Sequence, residues 1–175
     1  MVPSVYQGNY SAIARLTEEE LFPILRKHNM SFYAYSPIAG SFLAKSKDSL
    51  FAPDSRFSMT DFRGALYNGM FNKPSFISAL TVWGQIAESE GVSRAELAYR
   101  WIVYHSKLQA DLGDAVIVGT RKQQQLRDTM AALKKGPLSD EAVEGIHAIW
   151  ATVQADAELD SMEVASKIVS KLHEV

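Results

Sequence analysis

The chain has no cysteine, which excludes disulfides, thiolate nucleophiles and thiolate metal sites. That absence suits a reducing compartment, and we expect a cytoplasmic protein. There is no excess of either charge: 18 basic and 20 acidic residues are interspersed and leave a formal net charge of −2. A balance of this kind offers no general attraction to nucleic acid or to an anionic membrane, so any anion site must be local. Long apolar runs are missing too, and the opening Met-Val-Pro-Ser-Val-Tyr lacks the basic-then-apolar order of a secretory leader. Neither a membrane span nor a signal peptide is expected. Histidine is scarce, and His28, His105, His147 and His173 share no metal-ligand spacing, so no metal site is expected. What remains is 175 residues, 47% of them hydrophobic, which is enough for one globular core.

A short extended run at Val5 and Tyr6 ends at Gly8-Asn9. Thr17 with Glu20 has the spacing of a capping box, predicting a helix toward Asn29 that is kinked by Pro23. Phe32-Tyr33-Ala34-Tyr35, bounded by Ser36-Pro37, reads as a second strand, and strand-helix-strand implies a parallel crossover. From Gly40 to about Pro74 no clean period is present, as in stretches that are either functional or disordered. Helical spacing returns at Ala79, Val82, Trp83, Ile86 and Ala87, and a second capping box, Ser93 with Glu96, precedes Leu97, Trp101 and Tyr104. Ala115 to Gly119 forms a third strand feeding a helix from Thr120 to Leu133, which Gly136-Pro137 stops. Ser139 caps a helix through Trp150, and Glu158 to His173 forms a final amphipathic one. The pattern is α/β with a parallel sheet of three strands, whose two edges have no partners.

Two segments suit an anion on physical grounds. In Tyr35-Ser36-Pro37-Ile38-Ala39-Gly40-Ser41 a strand ends in small and hydroxylated residues whose N–H groups can turn toward a phosphate, although Ser-Pro-x-x-Gly is also an ordinary turn. In Gly119-Thr120-Arg121-Lys122 a strand opens into a helix, bringing free N–H groups, a hydroxyl and two cations together; the alternative there is a solvated first turn. His105, beside Tyr104 and Trp101, reads as a core or capping histidine, and Trp83, Trp101 and Trp150 read as packing anchors.

Several ordered segments carry a resemblance. They are Val5 to Ile13, Leu21-Phe22-Pro23, Phe32 to Gly40, Arg100-Trp101, Tyr104-His105-Ser106, Gly113 to Gly119, Gln125-Leu126 and Gly136-Pro137-Leu138. Together they resemble the aldo-keto reductases, most closely the aflatoxin-aldehyde (succinic semialdehyde) reductase branch, from about Val2 to Trp150. The resemblance implies part of a (β/α)8 TIM barrel, equivalent to strands six to eight with their helices, over residues 1–154. Residues 155–175 are then an extra acidic helical tail. It also implies NADP(H) as cofactor and an aldehyde or ketone as substrate. By position, Gln7 would meet the nicotinamide carboxamide and Tyr35 would stack on its ring. Ser36, Ile38, Gly40 and Ser41 would line the pyrophosphate, with Arg56 approaching it from a loop. Gly119, Thr120 and Arg121 would receive the 2′-phosphate, and Gln125 and Asp128 would lie near the adenosine.

Departures bear on that expectation. Where the branch has Gly-Gly-Leu-Leu-Thr-Gly-Lys, this chain has Gly40-Ser41-Phe42-Leu43-Ala44-Lys45-Ser46, and the asparagine expected near the adenine is Thr129. These changes imply weaker or lost NADP(H) binding. The family's catalytic Asp, Tyr, Lys and His come from the first half of the barrel, which this sequence does not match, so no catalytic residue is assigned. Tyr33 and Tyr104 are expected to pack. The leading expectation is the cofactor-binding portion of a reductase that is inactive alone. The alternative is a non-catalytic nucleotide-binding or self-associating barrel remnant. Unpaired sheet edges favour a homo-oligomer, with the C-terminal helix folding over the opening as the competing arrangement.

Overall fold

Aromatic and β-branched residues make the strands. A computed structural model describes residues 2–52, 55–57 and 61–173. Strands β1 (Val5–Asn9), β2 (Ser31–Tyr35) and β3 (Ala115–Val116) form one parallel sheet in the order β1-β2-β3. Tyr6 pairs with Phe32, Gly8 with Ala34 and Ala34 with Val116. Because side chains alternate along a strand, Tyr6, Gly8, Phe32 and Ala34 share one face while Val5, Gln7, Tyr33 and Tyr35 share the other. The first face is covered at Gly8, Phe32 and Ala34, with Tyr6 at its edge 36% exposed: Phe32 packs edge-on to Phe22 at 4.8 Å and to Tyr10 at 6.0 Å. The second face is open at the start of the strands, with Val5 41% and Tyr33 37% exposed, and closes toward their ends, where Asn9 is 2% exposed. The expectation that Tyr33 is a packing residue therefore fails within this chain.

The helices depart from the sequence reading in instructive ways. Thr17 does not cap: Leu16 holds that position, α1 spans Thr17–Glu20, and the buried Thr17 hydroxyl has no hydrogen-bond partner among the described residues. Pro23 falls in the first turn of a separate helix α2 (Phe22–Lys27), which ends short of Asn29. The stretch from Gly40 to Pro74 holds a 3-10 segment (Ala39–Ala44), α3 (Lys47–Leu50) and α4 (Phe62–Phe71). Next come α5 (Pro74–Ser89) and α6 (Arg94–Tyr104), and Ser93 caps α6 by accepting from the Glu96 N–H. Glu96 does not complete the box, because its carboxylate is taken by Arg100 and Lys135. The third strand is shorter than expected, and its helix α7 (Gln123–Leu133) begins after Lys122 rather than at Thr120. Helix α8 (Asp140–Val153) is capped by Ser139, and α9 (Ser161–His173) closes the described chain.

Two aromatic groups anchor the core. Tyr10, Phe22, Phe32 and Trp101 lie behind the sheet, while Phe42, Phe57, Phe71 and Phe76 lie beneath the loop after β2. Arg15, only 4% exposed, is set over the Trp101 ring at 4.3 Å, and its Nη1 lies 3.1 Å from His147 Nδ1. Burial lowers its pKa to about 10, while Glu18 and Tyr10 oppose the shift.

His105 ends α6 and its Nε2 accepts from the Leu138 N–H at 2.8 Å, so the ring serves neutral. Desolvation and then the Arg100 charge hold its pKa below the ordinary histidine value. The unfolded chain thus binds the proton more readily, and stability present above the unfolded pKa, about 6.5, is lost as pH falls below it. We expect the melting temperature to fall between about pH 7.5 and 5.5, less so in His105→Gln, whose amide oxygen can still accept from Leu138. An equal slope in both proteins would assign the pH response elsewhere.

Candidate functional site

In parallel α/β sheets, ligands gather beyond the carboxyl ends of the strands, where backbone N–H groups and loop residues converge. Those ends carry most of the residues picked out in the sequence. Tyr35 is the last residue of β2, paired with Asn9 at the end of β1, and Gln7 lies two residues earlier on the same face as Tyr35. Gln7 is exposed and Tyr35 half-buried. Asn9 is 2% exposed and its Nδ2 has no partner among the described residues, leaving an unsatisfied donor beside Tyr35. Beyond β3, the Ile117 N–H donates to the Ala34 oxygen at 2.8 Å. That bond extends the pairing of β2 and β3 by one residue.

The segment after β2 is unusual in its backbone. Ser36, Ala39, Gly40 and Ser41 have φ of 57°, 50°, 63° and 85°, so three non-glycine residues are left-handed within six positions. Strain of this kind collects at ligand clamps. Ser41 stands where the resembling branch has glycine, and a side chain in that conformation costs about 1–2 kcal/mol. Ile38, with φ −99°, lies inside the turn. Tyr67 of α4 seals it from outside: a Cβ on Gly40 would stand 2.1 Å from the Tyr67 ring, so only glycine fits. Phe57 packs on both Phe42 and Tyr67 at 5.8 Å and 5.6 Å, which ties the loop carrying exposed Arg56 to this segment.

At the end of β3, Gly119 has open space around it, and Thr120 and Arg121 are exposed. Arg121 has no ion-pair partner among the described residues. Gln125 is exposed but turns its amide back on the chain: its Oε1 accepts from the N–H groups of Arg121 and Lys122 at 3.1 Å and 3.0 Å, shaping the turn before α7. Asp128 accepts from Gln124 at 2.7 Å. Gln7, Tyr35 and the loop Ser36–Ser41 thus lie on or just after β1 and β2, and the Gly119–Arg121 turn follows β3 of the same parallel sheet. Gln125 and Asp128 make local contacts within or just before α7. Sequence reasoning missed Tyr67, which no motif marked, and Ser161, whose hydroxyl lies 3.3 Å from the Tyr35 hydroxyl.

The buried Tyr10 has the chemistry of a fixed partner rather than a proton donor. Its hydroxyl donates to Glu18 at 2.6 Å, and desolvation and the Glu18 carboxylate push its pKa up. Tyr104 donates to the Leu133 oxygen. Among the described residues no group of three or more His, Cys, Asp or Glu is placed to hold a metal ion, and no helix is long and apolar enough to cross a membrane.

A parallel three-stranded sheet thus carries a strained loop at the end of β2 and an exposed basic turn after β3, on an α/β fold. Residues 1–151 match the model of the Aldo/keto reductase family, and the chain belongs to that family of oxidoreductases. It is 36% identical over 157 residues to the oxidoreductase sirO of Leptosphaeria maculans, covering 90% of this chain and 48% of that protein. It is also 36% identical over 158 residues to the human aflatoxin B1 aldehyde reductase member 4, covering 86% and 47%. The chain spans about half the length of the curated relatives it matches. Among solved structures it resembles the glycerol dehydrogenase of Gluconobacter oxydans, with a TM-score of 0.60 at 23% identity over 84% of this chain and 42% of that one. That likeness places the fold among TIM-barrel-type proteins.

Proposed function

We propose that this chain is the cofactor-binding portion of an NADPH-dependent reductase of aldehydes and ketones, corresponding to barrel strands six to eight, and that alone it does not turn over. The observation that carries the reading is the convergence at one end of the sheet: an amide, a tyrosine, a strained loop and an unpaired arginine. The exposed Gln7 amide can both donate to and accept from a carboxamide. The Tyr35 ring offers a face for stacking. The left-handed turns of Ser36–Ser41 have the backbone conformation of anion-binding turns, although the N–H groups of Ala39 and Ser41 already donate to the Ser36 and Ile38 oxygens, and Arg56 adds charge from the neighbouring loop. Thr120 and Arg121 supply a hydroxyl and a free cation for a 2′-phosphate. Bound NADPH would supply the hydride.

Reduction also needs a positioned proton donor. The buried Tyr10 donates to Glu18 and packs against Phe32, on the face opposite Gln7 and Tyr35, and the exposed Tyr104 donates to a backbone carbonyl. Purified chain is therefore expected to bind NADPH without oxidising it in the presence of 4-nitrobenzaldehyde. Turnover that disappears in Tyr35→Ala would overturn the inactive half of the reading. A second reading, a self-associating remnant, is favoured by the exposure of Val5 and Tyr33 on one sheet face. Light scattering on the same sample separates it: binding by a monomer supports the first reading, and association without binding supports the second.

A further inference from the structure

The family match ends at residue 151, yet the segment after it is built onto the site face. Asp160 caps α9, its Oδ1 accepting from the N–H groups of Met162 and Glu163 at 2.8 Å and 3.0 Å. Val164 is 4% exposed and packs on α4, where a Cβ on Gly69 would stand 2.7 Å from it; the glycine permits the close approach. At the start of the helix, Ser161 Oγ reaches the Tyr35 hydroxyl at 3.3 Å.

Charges hold the approach. Lys73 Nζ donates to the Asp156 oxygen at 2.5 Å and to Glu158 Oε1 at 3.1 Å, and Lys167 Nζ bridges Glu158 and Glu163 at 2.9 Å and 3.0 Å. Ser75 Oγ donates to Asp156 Oδ2 at 2.6 Å. Desolvation pushes the Glu158 carboxyl up, but hydrogen bonds from Lys167 and Lys73 outweigh it and hold the group below its ordinary range. The side chains remain 25%, 16% and 56% exposed at Lys73, Glu158 and Lys167, so water and salt compete with the pairs and the attachment is weak enough to open.

We propose that α9 is a self-docked strap across the Tyr35 platform, latched by Glu158 between Lys73 and Lys167, and that the nicotinamide must displace it. The proposal rests on the reading of Gln7 and Tyr35 as the nicotinamide site. Both side chains project to one side of the sheet, and a ring stacked there has to share that space with the start of α9. Docking of the tail and binding of the nucleotide then oppose each other, and whatever weakens the latch strengthens binding by removing a competing closed state.

Hydrogen exchange of α9 amides, read beside NADPH affinity on the full chain, tests this. Lys73→Met and Glu158→Gln are each expected to speed α9 exchange while leaving the core amides of α5 and α8 at the wild-type rate. Each is expected to tighten NADPH binding several-fold. In the wild type, raising ionic strength from about 0.01 to 1 M, which shortens the screening length from about 30 to 3 Å, is expected to speed α9 exchange; Lys73→Met is expected to respond less. NADPH itself is expected to deprotect α9. Wild-type exchange rates in both variants would overturn the latch. Protection of α9 by NADPH, or an opened tail with unchanged affinity, would overturn the competition. An absence of NADPH binding in every form would remove the nicotinamide reading and the proposal with it. That outcome is told apart from latch failure because α9 exchange would still respond to Lys73→Met.

Discussion

Asp114→Ala is expected to destabilise the chain by about 3–5 kcal/mol, the usual cost of removing one partner from a buried charged pair. The Asp114 side chain is fully buried and accepts four hydrogen bonds. Arg26 of α2 grips it with both terminal nitrogens, Nη1 at 3.0 Å, while the N–H groups of Phe32 and Gln109 reach it at 2.7 Å and 2.9 Å. One carboxylate therefore fixes the end of α2, the start of β2 and the approach to β3. Alanine strands all four donors, of which Arg26, at 23% exposure, and the exposed Gln109 have water to turn to, while Phe32 is buried. Urea unfolding measures the effect. Asp114→Asn keeps an acceptor but faces Arg26 with an amide, and an intermediate loss is expected. A loss under about 1 kcal/mol in Asp114→Ala, the range of an exposed pair, would mean that water replaces the carboxylate and that the node does not organise the sheet.

The strands were legible because their signals are local. Phe32-Tyr33-Ala34-Tyr35 followed by Ser36-Pro37 marks β2 without reference to anything distant, and Ser93 and Ser139 mark helix starts by their own hydroxyls. Helix α4 was not legible: Gly64 and Gly69 lower its propensity and interrupt the apolar period. Their reasons lie elsewhere in the fold, since Gly69 makes room for Val164, which is 95 positions further along. Thr17 misled because a Thr-x-x-Glu spacing is satisfied equally by a capping residue and by one already inside the helix. The candidate site was half legible. Its residue types at Gln7, Tyr35 and Thr120-Arg121 were visible, but the left-handed backbone at Ala39 and Ser41 was not, because neither residue type favours that conformation. Nor was the contact of Ser161 with Tyr35, which spans 126 positions.

The central claim is that the turn after β3 reads the 2′-phosphate of NADPH. Arg121 is exposed beside open space at Gly119, and Gln125 already binds the backbone N–H groups of Arg121 and Lys122, which stiffens the turn and leaves the guanidinium as the group free to meet an anion. A charge-assisted hydrogen bond there contributes about 1.5–3 kcal/mol, or roughly ten- to a hundredfold in affinity. NADH has only a hydroxyl at that place. Fluorescence titration of NADPH and NADH into the wild type and Arg121→Ala measures this directly. The account predicts that the wild type prefers NADPH by about tenfold or more and that Arg121→Ala abolishes the preference by weakening NADPH alone. Equal affinity for the two nucleotides, or a preference that survives Arg121→Ala, would contradict it.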